Sequence, residues 1–139
     1  MIAQLIKERS RARRRLNNES ATIGFLRKMV IAGGNDVERF HAMFFDTRGT
    51  YLGDDALGQG RAGGLTVRQR ALFEGALAFG ASGIVVAHNH PSGLCQPSSQ
   101  DLEATRRLNA VAQALDIQLL DHLIFTAHSV YSMRAGGNL

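Results

Sequence analysis

The feature that most constrains this chain is a short apolar run that leads directly into two histidines. Gly83 to Ala87 reads GIVVA, and the chain continues with His88-Asn89-His90. A continuous apolar run of this length, bounded by polar residues, is typical of a buried central strand. In an extended chain, residues i and i+2 point to the same side, so the two histidines can reach one point. The sequence therefore predicts a polar site where a buried strand ends.

Asp101 is the third candidate ligand. It follows the second histidine by eleven positions and falls on the first turn of a helix predicted from Ser98 to about Ala114. The intervening loop would fold that helix start back over the end of the strand. Two neutral imidazoles and one carboxylate leave a fourth tetrahedral position for water, as in catalytic zinc sites. Zn²⁺ suits these ligands, with iron and manganese as alternatives, and would lower the pKa of its water toward ~7.

Ordinary structural roles are also open to these residues. Ser98 is a serviceable helix N-cap, and Asp101 is favoured by the helix dipole in the first turn. Cys95, the only cysteine, could be a fourth ligand that closes the site. His122 could orient a ligand from behind or be an ordinary core histidine. Taken together, the spacing and the strand-loop-helix setting favour the metal site.

The rest of the sequence predicts an α/β fold, in which helices flank a mixed sheet. Strands are predicted at residues 37–46, 83–87, 117–125 and 129–133, and residues 50–52 begin a second, shorter strand of a hairpin with the first. Helices are predicted at residues 20–32, from Thr66 to about Phe79, and from Ser98. Thr66 and Gln69 have the spacing of a capping box, and the Gly-rich residues 58–65 predict a connector or a weak edge strand. The predicted inward-facing residues of the last two helices are Ala71, Leu72, Ala76, Leu77, Leu102, Leu108, Val111 and Leu115.

The chain is predicted to consist of a basic N-terminal helical arm, residues 1–35, and a mildly acidic body, residues 36–139. Residues 1–28 hold eight Lys/Arg and two Glu, a net 8 − 2 = +6, and the remainder carries 8 − 10 = −2. Such an arm can bind nucleic acid by neutralising phosphates, or it can be a solvated helix face. A single cysteine, no apolar run of ~20 residues and no leader pattern predict a cytoplasmic protein without membrane contact.

The histidine pair and Asp101 also carry a family resemblance. His88-Asn89-His90, seven residues and then SSQD resemble the metalloprotease signature of the JAB/MPN (JAMM) superfamily. AHNHPSG, SSQDLEATRRL and the DHLI that begins at Asp121 are similar to its RadC-like branch, over roughly residues 36–139. The resemblance implies a cytidine-deaminase-like α/β sandwich with a curved mixed sheet. It also implies that His88, His90 and Asp101 bind Zn²⁺.

The resemblance further implies two catalytic residues. Ser98 would hydrogen-bond the metal-bound water or the oxyanion, and Glu38 matches an upstream glutamate of the family that acts as the base. Hydrolysis at a metal needs a group that takes a proton from water and returns it to the leaving amine. From the residues alone, an exposed charge at the start of a strand is the alternative for Glu38.

These observations predict a zinc-dependent hydrolase of peptide or isopeptide bonds, with a protein or peptide substrate. The alternative is a non-catalytic, DNA-associated accessory protein of the RadC type, linked to DNA repair, that uses the basic arm. Whether the chain forms a homodimer stays open.

Overall fold

A computed structural model describes residues 19–31, 36–60 and 68–139. The described helices are α1 (Glu19–Ile31), α2 (Gln69–Ala78) and α3 (Ser99–Ala114). The described strands are β1 (Glu38–Phe45), β2 (Tyr51–Gly60), β3 (Gly83–Asn89), β4 (Gln118–Phe125) and β5 (Val130–Ser132).

The five strands form one mixed sheet in the order β2-β1-β3-β4-β5. β3 lies at the centre and is buried along its whole length. It runs parallel to β4 and antiparallel to β1, and the remaining neighbours are antiparallel. The connection between the parallel strands β3 and β4 passes through α3. The start of α3 therefore lies close to the C-terminal end of β3. The predicted α/β fold with a mixed sheet between helices is confirmed.

Side chains alternate between the two faces of the sheet, as the period of a strand requires. On the face covered by α2 and α3, the core contains Phe40, Phe44, Ile84, Val86, Leu72 and Leu108. On the opposite face, α1 covers Met43, Phe45, Val85, Leu123 and Phe125. Burial of these two apolar layers is the main stabilising contribution that the sequence pattern provides.

The second strand is longer than predicted. It runs over Tyr51–Gly60 and is longer than β1, so the Gly-rich residues 58–60 belong to an edge strand, one of the two predicted alternatives for that segment. Two features make the full length of this strand difficult to predict from sequence. Gly53 leaves a gap in the alternation that the ring of Phe79 fills, and the pairing register with β1 shifts between Phe40 and His41.

Two predicted helix faces also need correction. In α2, Leu72 and Ala76 are buried as predicted, but Ala71 and Leu77 are exposed and Phe73 takes the inner position. In α3, Leu108 is buried, Leu102 and Val111 are half-buried, and Leu115 is exposed. Leu115 is the residue at which the helix ends, so the helical period no longer decides where its side chain points. The predicted cap residue Thr66 lies outside the described residues, and the described N-cap of α2 is Arg68.

α1 is part of the folded body. Leu26 and Val30 are fully buried, and the Arg27 guanidinium donates hydrogen bonds to the carbonyls of Thr126, at 2.7 Å, and Ser129, at 3.1 Å. The rest of the predicted basic arm, residues 1–18 and 32–35, lies outside the described residues, so the boundary at residue 35 stays a prediction. Among the described helices, none is long and apolar enough to cross a membrane.

Candidate metal centre

The end of β3 brings the two histidines together. His88 lies in the strand beside Phe40 of β1 and Ile124 of β4. His90 follows the strand, and its backbone N–H donates to the carbonyl of Phe125 at 2.8 Å. Both rings point to the same side, and their Nε2 atoms lie 2.9 Å apart. The predicted convergence of the two imidazoles is therefore present.

Asp101 completes the cluster from the first turn of α3. Its Oδ2 lies 3.0 Å from Nε2 of His90, and its Oδ1 lies 3.4 Å from Nε2 of His88. The same residue forms a capping box with Ser98. The Ser98 backbone N–H donates to Asp101 Oδ2 at 2.9 Å, and the Asp101 N–H donates to Ser98 Oγ at 3.0 Å. From sequence alone, helix capping and metal binding are alternative roles for Asp101. In the structure its carboxylate takes part in both the capping box and the histidine cluster.

The donor set fits a divalent cation. One potential ligand atom from each of His88, His90 and Asp101 lies within 4.8 Å of the others. His90 Nδ1–H donates to the carbonyl of Leu94 at 2.9 Å, so the neutral ring carries its lone pair on Nε2, toward the cluster. Two imidazole nitrogens and a carboxylate held this close concentrate electron pairs that a cation would stabilise. Their chemistry suits Zn²⁺, and Fe²⁺ or Mn²⁺ as alternatives.

Asp101 and the two histidines affect one another's charge. Burial acts to raise the pKa of Asp101, but the imidazoles of His88 and His90 and the Ser98 N–H beside its carboxylate outweigh burial, so this pKa lies far below its usual range. The hydrogen bond to Asp101 in turn raises the pKa of His90 above its ordinary value. The carboxylate therefore stays ionised, and in the metal-free protein a proton on His90 competes for the position that a cation would take.

Glu38 lies at the start of β1, next to the cluster. Its Oε2 is buried and has no hydrogen-bond partner among the described residues. Burial raises the pKa of Glu38, the neighbouring His88 ring opposes that rise, and the negative charge of Asp101 adds to it. A carboxyl group with an unpaired oxygen and a raised pKa is suited to accept and return a proton.

A cleft of about 360 Å³ opens beside the cluster and is lined by Glu38, His90 and Ser98 together with Pro91, Leu94 and Gln96. Ser98 Oγ accepts the Asp101 N–H, which leaves the hydroxyl hydrogen for a group in the cleft. Cys95 Sγ instead donates to the carbonyl of Ile124 at 3.4 Å. The structure thus places the predicted Glu38 and Ser98 at the cleft and Cys95 outside the three-residue cluster.

Two polar residues of the site were missed by sequence reasoning. Asn89 is fully buried; its Nδ2 donates to the Val37 carbonyl at 3.0 Å and its Oδ1 accepts the Arg39 N–H at 2.6 Å. Thr105, one turn after Asp101 in α3, contacts the ring of His122. No local pattern indicates the Asn89 partners, which lie about fifty residues away. The i to i+4 spacing from Asp101 to Thr105 is the one signal that could have suggested the second residue.

Comparison with known proteins gives a consistent family. A family model described as "RadC-like JAB domain" matches residues 16–138. Among curated relatives are UPF0758 proteins of Finegoldia magna, 38% identical over 104 residues (75% of this chain, 47% of the relative), and Paraburkholderia phytofirmans, 34% identical over 137 residues (99% and 52%). A third, from Acidithiobacillus ferrooxidans, is 41% identical over 100 residues (72% and 45%). The chain spans about half the length of these relatives, whose names state no activity.

Proposed function

The chain belongs to the RadC-like JAB domain family, and from that membership and the clustered His88, His90 and Asp101 we propose that it hydrolyses peptide or isopeptide bonds with a bound Zn²⁺. The observation that carries the proposal is the position of Glu38. A structural zinc site is closed by four protein ligands. Among the described residues, three candidate ligands lie beside a cleft, and the buried Glu38 Oε2 next to them has no hydrogen-bond partner there.

Each residue of the site has a distinct role in this proposal. When bound by His88, His90 and Asp101, zinc supplies Lewis acidity and lowers the pKa of water. Glu38 takes the proton from the attacking water and delivers it to the nitrogen of the leaving amine, and its raised pKa helps it to hold that proton in between. The Ser98 hydroxyl donates a hydrogen bond to the oxygen on which negative charge develops.

The cleft supports a peptide as the substrate. Its lining is apolar or uncharged around the candidate base and ligand, with Pro91, Leu94, Gln96 and Pro97 on the loop that follows β3. Leu94 is 72% exposed at this loop, which leaves its apolar side chain available to contact a substrate side chain. A cleft of this composition favours a neutral peptide segment over a phosphorylated ligand, which would call for basic side chains.

The first test is metal content. We expect the purified protein to retain one Zn²⁺ per chain and Asp101→Asn to retain almost none. Asparagine keeps the size of the side chain and an oxygen that can cap α3, so helix content by circular dichroism should be unchanged. A parent protein that binds no zinc when it is added, at any pH at which it is folded, would overturn the proposal.

The second test is hydrolysis. The zinc-loaded protein is offered a mixture of quenched-fluorescence peptides and a peptide with a lysine ε-amide link. Cleavage should stop on chelation, return with zinc, and be roughly 10²- to 10⁴-fold slower in Glu38→Gln. Cleavage that persists undiminished in Glu38→Gln would contradict the assigned base.

The DNA-associated alternative stays a prediction. Six of the eight basic residues in 1–28 lie outside the described residues, and a seventh, Arg27, is engaged in the fold. DNA binding that weakens with salt and disappears on deletion of residues 1–15, while Glu38→Gln remains fully functional, would favour it. The homodimer is likewise a prediction, to be tested by light scattering after gel filtration.

A further inference from the structure

A continuous series of buried hydrogen bonds connects the His88 side chain to the Asp101 backbone, on the side of His88 that faces away from the cluster. His122 of β4 is the register partner of Val86 in β3, and its Nε2 lies 2.7 Å from Nδ1 of His88. On its other side, His122 Nδ1 lies 2.6 Å from Thr105 Oγ1. Thr105 Oγ1 donates to the backbone carbonyl of Asp101 at 2.7 Å. The chain therefore starts on one candidate ligand and ends on the backbone of another.

The direction of every bond in this chain can be assigned. A carbonyl oxygen only accepts, so the single hydroxyl hydrogen of Thr105 is committed to Asp101. Thr105 can then only accept from His122, which must carry its hydrogen on Nδ1. His122 is fully buried between the Thr105 hydroxyl and the His88 imidazole, and a neutral ring with its hydrogen on Nδ1 presents a lone pair on Nε2. This lone pair accepts the Nδ1–H of His88.

The consequence for His88 is a defined tautomer. A neutral ring that carries its hydrogen on Nδ1 presents its lone pair on Nε2. That nitrogen is the one that faces Asp101, at 3.4 Å, and His90, at 2.9 Å. The ring plane is also supported, because Phe40 stacks on it with centroids 5.3 Å apart. Both the tautomer and the orientation of His88 are thus those of a metal ligand.

We propose that His122, held by Thr105, is a positioning residue that selects the Nδ1–H tautomer of His88 and so prepares its Nε2 to bind the metal. This inference rests on the proposed metal site and adds two residues that no metal would touch. Without the Thr105 hydroxyl, His122 is free to carry its hydrogen on Nε2 and to donate to His88 Nδ1. His88 would then hold its hydrogen on Nε2, the wrong tautomer for binding a cation at the cluster.

The test compares two substitutions at one position. Thr105→Val keeps the branched shape and removes the hydroxyl, whereas Thr105→Ser keeps the hydroxyl and removes a methyl group. We expect the zinc dissociation constant, measured by competition with a chromogenic chelator, to rise roughly 10- to 100-fold in Thr105→Val and in His122→Phe. Thr105→Ser should bind zinc like the parent. Urea unfolding verifies that each variant is folded under the conditions of the zinc measurement.

The tautomers are read directly in the metal-free protein. Long-range ¹H–¹⁵N spectra should show His88 and His122 as Nδ1–H tautomers in the parent and in Thr105→Ser, and a changed pattern in Thr105→Val. An Nε2–H tautomer of His122 in the parent, or parent-like zinc affinity in both folded Thr105→Val and His122→Phe, would overturn the inference. A parent with the expected tautomers that binds no zinc would overturn the proposed function alone, so the two failures are distinguishable.

Discussion

Asn89 brackets Glu38 by bonding to the backbone on both sides of it. The Asn89 amide donates to the carbonyl of Val37 and accepts the N–H of Arg39, which fixes the start of β1 against the end of β3. The residue between the two histidines therefore holds the candidate base in place, while the histidines themselves project to the other side of the strand. One tripeptide, His88-Asn89-His90, supplies two candidate metal ligands and the support for the proton carrier.

Replacement of Glu38 by glutamine should separate metal binding from chemistry. Glutamine keeps the shape but cannot accept a proton, so we expect unchanged zinc content and a hydrolysis rate lower by roughly 10²- to 10⁴-fold. The measurement is the initial rate of peptide cleavage at matched zinc loading. Loss of zinc together with activity would mean that Glu38 supports the ligands instead of carrying the proton.

Replacement of Asn89 by alanine should destabilise the protein. Two backbone groups at the start of β1 would lose their partners, at a cost of about 1–3 kcal/mol in the free energy of unfolding. Gln96→Ala is the matched control, because Gln96 is an exposed amide on the neighbouring loop, and its effect should stay within about 0.5 kcal/mol. Urea unfolding of both variants decides the matter, and equal effects would show that the bracketing bonds contribute little.

Arg27 should contribute to stability beyond its charge. Its guanidinium donates to the Thr126 and Ser129 carbonyls and lies 5.1 Å from the ring centroid of Phe125. We expect Arg27→Met to lower the free energy of unfolding by about 1–3 kcal/mol. Lys28→Met removes the same charge from an exposed position of the same helix and should change it by less than about 0.5 kcal/mol. A similar loss in both variants would identify charge as the cause.

Substitution of two helical glycines by alanine should change the free energy of unfolding in opposite directions. A Cβ on Gly24 of α1 would meet nothing within 4 Å, so Gly24→Ala should stabilise by about 0.5–1 kcal/mol through its higher helix propensity. A Cβ on Gly75 of α2 would overlap the Asp55 carboxylate and lie 3.1 Å from the buried Phe44 ring. Gly75→Ala should therefore destabilise by about 1–3 kcal/mol. Thermal unfolding of the pair shows the expected signs, and stabilisation by both would contradict the packing at Gly75.

The hydrogen bond from His41 lowers the pKa of Asp54, with Tyr51 as a second donor. A carboxylate with a lowered pKa stabilises the fold above its ordinary pKa of 3.8 and loses that contribution as the pH falls. We expect Asp54→Asn to cost roughly 1 kcal/mol at pH 7, a modest value because the carboxylate is partly exposed. The difference from the parent should shrink below pH 3.8. Denaturant unfolding at several pH values tests this, and a difference that grows on acidification would refute it.

The parts of the structure that can be predicted from sequence are those determined by residues close together in the chain. The apolar run of β3, the alternate placement of His88 and His90, and the helix cap at Ser98 all depend on residues close in the chain. Their mutual geometry is predictable for that reason. Asp101 is within reach of the same reasoning because a short loop connects it to the strand.

Contacts between distant segments decide the features that local patterns do not indicate. The length of β2 is decided by pairing with β1 and by the Phe79 ring that covers Gly53. The role of His122 stays open in the sequence because Thr105 and His88 meet it only after α3 packs on β4. The helical period misassigns the inner face of α2 at Leu77, since the sheet also determines which stripe of the helix is covered.

The position of α1 has a practical consequence for producing the domain in isolation. A recombinant fragment that started at residue 36, the predicted start of the body, would lack the one described helix that covers Met43, Phe45, Val85, Leu123 and Phe125. That bare apolar surface would promote aggregation during expression. Fragments intended for crystallisation should therefore begin upstream of Glu19, even when only the site at the end of β3 is of interest.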